Sequence, residues 1–188
     1  MAEGIILAGG FSSRAGTNKM TLEYEEIPLI EHAIEAMKPF VSRIVVISGH
    51  HHEDLVYLDE RRFIKLVYNP DYEKGMFTSV KLGAAEVDDD MFIIPGDYPL
   101  VSRSTYRALL DAHGVIRVPV YKQKKGHPLF IEASLRTALS NSKAPHLKAF
   151  RDHYPVTTVP VGDEGVLVDV DTLDDFQRLK KSRKGAKA

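Results

Sequence analysis

Three short runs in this chain are apolar without alternation: Gly4–Ala8 (GIILA), the centre of Arg43–Ser48 (RIVVIS) and Met91–Pro95 (MFIIP). A strand with one face in water alternates apolar and polar residues. A run that does not alternate must be covered on both faces, as in a parallel sheet flanked by helices. The intervening stretches carry helical spacing. Pro28–Met37 places Leu29, Ile30, Ala33, Ile34 and Met37 on one face, Gly75–Glu86 places Met76, Val80 and Leu82 to Ala84 inward, and Ser104–Ala112 follows. Ile64–Tyr68 adds a strand after a polar segment around His51–Asp59. The pattern predicts a three-layer α/β/α, Rossmann-like domain with a mostly parallel mixed sheet.

The spacing shortens after Gly114. Val115–Tyr121, Pro128–Ile131 and Val156–Val161 read as strands of an antiparallel or mixed edge, Val166–Val170 as a return to the core sheet. Thr172–Lys180 closes as a helix with Leu173, Phe176 and Leu179 inward. In such sheets ligands sit at the carboxyl ends of the strands, and the motifs below fall there.

The 188 residues suit one domain, over 1–180, with 181–188 as a basic flexible tail. Zero cysteine excludes disulfides, thiol catalysis and thiolate metal centres. A net charge of −1 provides no field for nucleic acid or acidic membranes. No apolar run approaches the roughly 20 residues that span a bilayer, and no basic leader precedes the first strand. The expected setting is cytoplasmic, with neither membrane nor nucleic-acid partners.

The segment Leu7-Ala8-Gly9-Gly10-Phe11-Ser12-Ser13-Arg14-Ala15-Gly16-Thr17-Asn18-Lys19 carries the strongest chemical signal. Two glycines after a strand let backbone N–H groups approach an anion. Arg14 and Lys19 add a planar fork and a point charge, and Ser12 and Ser13 add hydroxyls. The spacing matches neither the P-loop nor the dinucleotide fingerprint G-x-G-x-x-G. Gly75-Met76-Phe77-Thr78-Ser79 opens a helix whose free N–H groups favour an anion or a base edge. Asp97, in Gly96-Asp97-Tyr98-Pro99 after MFIIP, places a hard oxygen ligand at a central strand end. Asp169 and Asp171 form a second acidic pair on alternate positions, with Asp171 also able to cap the last helix. Lys122, Lys124 and Lys125 precede Gly126-His127-Pro128 and could receive an anionic acceptor or form a solvated tip. His50, His51 and His52 are consecutive, so their side chains diverge, and a shared metal ion is disfavoured.

LAGGFSSRAGTNK resembles the opening motif of the molybdenum cofactor nucleotidyltransferase family, of the molybdopterin cytidylyltransferase-like kind. Pro28-Leu29, Asn69 before GMFTS, GDYP, GHP and Asp169-Val170-Asp171-Thr172 follow in the family's order over residues 4 to 180. The resemblance implies a nucleotide-diphospho-sugar-transferase fold, a nucleoside triphosphate, magnesium and pyrophosphate release. It implies a phosphorylated small-molecule acceptor, most naturally molybdopterin, and molybdenum-enzyme maturation partners. By the same resemblance Arg14, Lys19 and Asp97 carry the reaction, and Asp97 holds the metal with Asp171 as the second ligand by position. Leu7, Ala8, Gly9, Gly10, Ser12, Ser13, Arg14, Lys19, Gly75 and Ser79 hold the nucleotide, with Gly126 and His127 on the acceptor side. LAGG follows the guanylyl members, whereas GMFTS and GHP lean toward the cytidylyl ones, so CTP and GTP both stand. A transferase for another sugar or polyol phosphate and a non-catalytic nucleotide-binding module are the alternatives.

Overall fold

The structure is a computed structural model and describes residues 1–11 and 18–184, with side chains through Lys181. Ser12, Ser13 and Arg14 lie outside the described residues, as do positions 185–188. In chain order the elements begin with β1 (Glu3–Ala8), a two-stranded hairpin of β2 (Glu23–Tyr24) and β3 (Ile27–Pro28), and α1 (Leu29–Met37). They continue with β4 (Ile44–Ser48), β5 (Ile64–Tyr68), α2 (Met76–Glu86), β6 (Met91–Pro95) and α3 (Arg103–Asp111). The last part holds β7 (Ile116–Tyr121), β8 (Lys124–Lys125), β9 (Leu129–Ile131), α4 (Arg136–Ser140), α5 (Leu147–Arg151), β10 (Val156–Pro160) and α6 (Leu173–Lys184). No helix among the described residues is long and apolar enough to cross a membrane.

The main sheet runs in the order β10-β7-β9-β6-β1-β4-β5, with β8 paired to β7. β1 is parallel to both β4 and β6. Its even-numbered Ile6 and Ala8 pack with Ile30, Ile34 and Met37 of α1 and with Tyr106 and Leu109 of α3. Its odd-numbered Ile5 and Leu7 pack with Phe77, Val80 and Ala84 of α2, on the face that also takes Leu139 and Phe150. Unbroken apolar runs are therefore required, because both pleat faces are core. At the end remote from the site, buried Glu3 accepts from the Asp88 and Asp89 N–H groups at 2.7 and 3.0 Å and pairs with Arg43. That cluster ties the starts of β1 and β4 to the approach of β6.

The mixed edge has a definite form. β9 is antiparallel to both β6 and β7 and lies between them, and β10 is parallel to β7 outside it. The Val166–Val170 expectation is corrected here. β6 already has β1 and β9 on its two sides, so no edge is free for another strand. Residues Glu164–Leu167 instead form a 3-10 turn, capped by Asp163 Oδ1 accepting from the Gly165 N–H at 2.9 Å. The segment then crosses the end of β6, where the Val170 N–H donates to the Asp97 carbonyl at 3.0 Å.

Two inward assignments are corrected as well. Met76 and Leu173 are exposed, since each sits at the first turn of its helix beyond the edge of the core. The last helix runs to Lys184, four residues past Lys180.

α2 reaches the sheet closely because Gly83 faces β1: a Cβ there would stand 2.5 Å from Ile5 Cγ2. The Ile5 side chain is β-branched and fully buried, so it has little room to move. Gly83→Ala gains about 1 kcal/mol of helix propensity but overpacks the interface at a cost of about 1–3 kcal/mol. Urea denaturation should show a net loss of stability, although alanine is the better helix former; an unchanged or raised midpoint would mean that α2 shifts freely against β1.

Candidate active site

Three turns meet at the carboxyl ends of the central strands. β1 leads into Gly9 and Gly10, β4 into Gly49, and β6 into Gly96 and Asp97. A Cβ on Gly49 would lie 2.4 Å from the Gly9 carbonyl oxygen, so glycine there permits the first two turns to touch. The Gly96 N–H donates to the Leu7 carbonyl at 2.9 Å, which carries the β1–β6 ladder one residue beyond the strand and fixes where Asp97 begins.

Asp97 is 8% exposed. Its Oδ2 accepts from Lys19 Nζ at 2.5 Å, and its Oδ1 is buried without a hydrogen-bond partner among the described residues. Lys19 Nζ also reaches Asp171 Oδ1 at 3.0 Å. One cation thus joins carboxylates 74 positions apart in sequence, brought together by the Val170–Asp97 backbone bond. Burial pushes the Asp97 carboxyl up and Lys19 pulls it back only in part. For Lys19, burial works against the charge, but Asp97 and Asp171 outweigh it and hold the ammonium above its ordinary range. Asp169 is exposed and acts on Asp97 only through its charge.

The orphaned Oδ1 of Asp97 and the partly exposed Asp171 supply hard oxygen donors around a point that already holds a positive charge. That arrangement fits a divalent ion bound by one or two carboxylates, the habit of magnesium and manganese in phosphate chemistry. No group of three or more His, Asp or Glu side chains suited to a metal occurs among the described residues. The three histidines have separate partners, although the His50 and His51 rings stand 4.7 Å apart edge to face. His50 packs on Phe11, His51 faces Asp54, and His52 bonds Ser48 and packs on Tyr68.

Between the end of β1 and the start of α2 lies a cavity of about 260 Å³ bounded by Leu7, Gly9, Gly10, Phe11, Tyr72, Glu73, Gly75, Met76 and Ser79. Gly75 has φ of 106°, which admits the sharp entry into α2. Buried Asn69 donates through Nδ2 to Thr78 Oγ1 at 2.8 Å and to Ser79 Oγ at 2.9 Å, and its Oδ1 accepts from the Asp71 N–H at 3.0 Å. It holds Ser79 Oγ where a Cβ on Gly9 would meet it at 3.1 Å. Ala8, the last residue of β1, is buried on the face of α1 and α3 and does not line this cavity.

On the other side of Asp97, the Tyr98 ring stands 4.8 Å from His127. The backbone of Gly126-His127 is held by bonds from the Gly126 N–H to the Pro119 carbonyl and from the His127 N–H to the Val166 carbonyl, each 2.9 Å. His127 Nδ1 and Arg151 Nε are both buried without hydrogen-bond partners among the described residues. Burial and then the Arg151 charge push the His127 imidazole down to about 4, so it is neutral near pH 7. Lys122, Lys124 and Lys125 are exposed on the β7–β8 hairpin. Sequence reasoning had no signal for Arg151, whose helix is five residues long. The link from Asn69 to Ser79 and the closure of Asp171 onto Lys19 are likewise visible only in three dimensions.

The family model of the MobA-like NTP transferase domain matches residues 4–158. The molybdenum cofactor cytidylyltransferase of Escherichia coli is 31% identical over 188 aligned residues, covering 94% of each chain. The nicotine blue oxidoreductase of Paenarthrobacter nicotinovorans is 28% identical, covering 94% of this chain and 95% of its own. Among solved structures, Rv0371c of Mycobacterium tuberculosis superposes with a TM-score of 0.83 at 25% identity, covering 96% of this chain and 97% of that one. A manganese complex of Rv0371c gives 0.77 at 22% identity, covering 96% and 98%.

The lowered His127 value has a consequence for stability. The unfolded imidazole takes up a proton near its usual 6.5, whereas the folded one does so only near 4. Between these values the unfolded state binds more protons, so stability falls as pH drops through that window, by up to about 2–3 kcal/mol. Denaturation curves from pH 7 to pH 4 should therefore be flatter for His127→Gln than for the wild type. Parallel curves would assign the imidazole an ordinary, solvated titration.

Proposed function

The chain belongs to the MobA-like NTP transferase family, and from that premise we propose that it transfers a nucleoside monophosphate from CTP or GTP to a phosphorylated acceptor, molybdopterin, with release of pyrophosphate. The observation that carries this reading is the convergence of Asp97 and Asp171 on the Lys19 ammonium at the end of β6, in a site that also has a glycine-lined cavity between the end of β1 and the start of α2. Full-length similarity to a cytidylyltransferase supports it.

In the reaction an oxygen of the acceptor phosphate bonds to the α-phosphorus as the bond to the β-phosphate oxygen breaks, and the electron pair leaves with pyrophosphate. The acceptor phosphate is already ionised near neutrality, so no general base is needed. The protein has to align the two phosphates and neutralise charge that moves toward the leaving group. Gly9 and Gly10 offer N–H groups to the triphosphate, Ser79 faces the base cavity, and Lys19 carries positive charge to the phosphates. Ser12, Ser13 and Arg14 are assigned to the triphosphate from sequence alone. Asp97 and Asp171 would hold a divalent cation, magnesium in this proposal, which when bound supplies charge neutralisation for the phosphate oxygens; the manganese complex of Rv0371c supports a divalent ion in this fold. Gly126 and His127 border the acceptor side, where His127 serves as a neutral hydrogen-bonding group rather than a cation. The cytoplasm is the proposed setting.

The oxidoreductase among the relatives gives a redox reading a specific basis. That reading predicts redox turnover and no pyrophosphate release.

The test is pyrophosphate release with CTP, GTP, ATP and UTP, each with molybdopterin and magnesium, and release with CTP or GTP is expected. Silence with all four, together with no thermal shift by any triphosphate, would overturn the reading. Asp97→Asn keeps the shape but removes the charge, so turnover should fall by at least about 100-fold while triphosphate binding without metal persists. Near-normal turnover would remove Asp97 from the mechanism. Lys19→Ala should weaken triphosphate binding by about 1.5–3 kcal/mol, the scale of a charge-assisted contact; wild-type affinity would show that Lys19 serves only its two carboxylates.

A further inference from the structure

The described residues on both sides of the proposed triphosphate loop are held by one short segment after β4. At the upstream side, the Phe11 carbonyl oxygen lies 3.3 Å from His51 Nε2, and the Phe11 ring packs against His50 and Tyr72 with centroids 5.2 and 5.3 Å away. At the downstream side, Asn18 Nδ2 donates to Asp54 Oδ2 at 3.0 Å. That same Asp54 oxygen lies 3.5 Å from His51 Nδ1, an ion-pair contact when the imidazole is protonated, so one carboxylate neighbours both His51 and Asn18.

The two ends differ in depth. Asn18 is 5% exposed, and its Oδ1 accepts from the Met20 N–H at 3.1 Å, whereas Asp54 itself is exposed. An exposed ion pair contributes little to stability, so the arrangement is poorly explained as a stabilising device. Its anchor is nevertheless firm, because Leu55 and Leu58, in the 3-10 stretch His52–Glu60, are fully buried. Lys19 follows Asn18 directly, so the bond that fixes Asn18 also governs where the Lys19 ammonium arrives between Asp97 and Asp171. Neither His51 nor Asp54 lines the 260 Å³ cavity.

We propose that His51 and Asp54 are positioning residues for nucleotide binding, which act by tying the two sides of the triphosphate loop to the core-anchored segment after β4. The proposal rests on the nucleotide reading above. Phe11 and Asn18, held in place before a ligand arrives, have less freedom to lose when it binds, so the pair raises affinity through pre-organisation rather than by contact. The effect belongs to the triphosphate, since the acceptor side is bordered by β7 and β9.

The experiment compares wild type, Asp54→Ala, His51→Ala, the double variant and Asp54→Asn. Hydrogen–deuterium exchange of the peptide 9–21 without nucleotide reads the tether directly, and Kd for CTP or GTP and both KM values read its consequence. Exchange of that peptide should rise in Asp54→Ala, and triphosphate Kd and KM should rise about tenfold. The acceptor KM and the melting temperature should stay near wild type. His51→Ala should give a smaller shift, the double variant no more than Asp54→Ala because the two side chains are neighbours, and Asp54→Asn, which keeps an acceptor oxygen for Asn18, should recover most of the loss. Unchanged exchange and unchanged triphosphate affinity in Asp54→Ala would overturn the proposal, as would equal shifts in both KM values with a lowered melting temperature. A wild type that binds no triphosphate would overturn this proposal together with the proposed function, whereas failure confined to the variants overturns the positioning role alone.

Discussion

The site is organised around a buried carboxylate at the end of a strand that has no free edge. Asp97 leaves β6 where β1 lies on one side and β9 on the other, so its side chain enters a low-dielectric pocket that penalises its charge. Lys19 offsets part of that penalty, and Asp171 shares the same ammonium. The three groups come from three distant parts of the chain, and each position is fixed by something nearby. Asn18 caps the turn that presents Lys19, the β1–β6 ladder sets Asp97, and the Val170 N–H brings Asp171 within reach. Loss of Lys19 leaves the buried Asp97 carboxylate short of compensation, which is expensive in a protein interior.

That electrostatic arrangement depends on close backbone approach elsewhere. Gly49 lets the β4 turn touch the β1 turn, Gly83 lets α2 lie on β1, and Gly126 lies where a Cβ would come within 2.3 Å of the Val166 carbonyl oxygen. These close approaches hold the turn after β4 against that after β1, α2 against β1, and the Gly126 turn against the segment after β10. The stiff, doubly covered sheet supplies the reference frame, and the polar groups sit on turns that it positions.

Much of the architecture was legible because each apolar run is a local record of burial. GIILA, RIVVIS and MFIIP could be read as parallel strands, and the helices α1, α2 and α3 fell within a residue or two of the expected bounds. Val166–Val170 was misread because a short apolar run looks the same in a strand and in a buried crossing segment. Met76 and Leu173 were misplaced because periodicity gives a face but not the limit of the core beneath it.

The sequence by itself determined the layered fold, the glycine loop after the first strand and the placement of Asp97 at a central strand end, since each rests on residues adjacent in the chain. Only the tertiary structure decided that β9 inserts between β6 and β7, that the Lys19 ammonium stands between Asp97 and Asp171, and that Arg151, His51 and Asp54 belong to the neighbourhood of the site. The reason is physical. Hydrophobic periodicity is a property of a local segment and its solvent exposure, whereas an ion pair or a shared hydrogen bond depends on the distance between side chains, which is set only when the sheet order brings remote segments together.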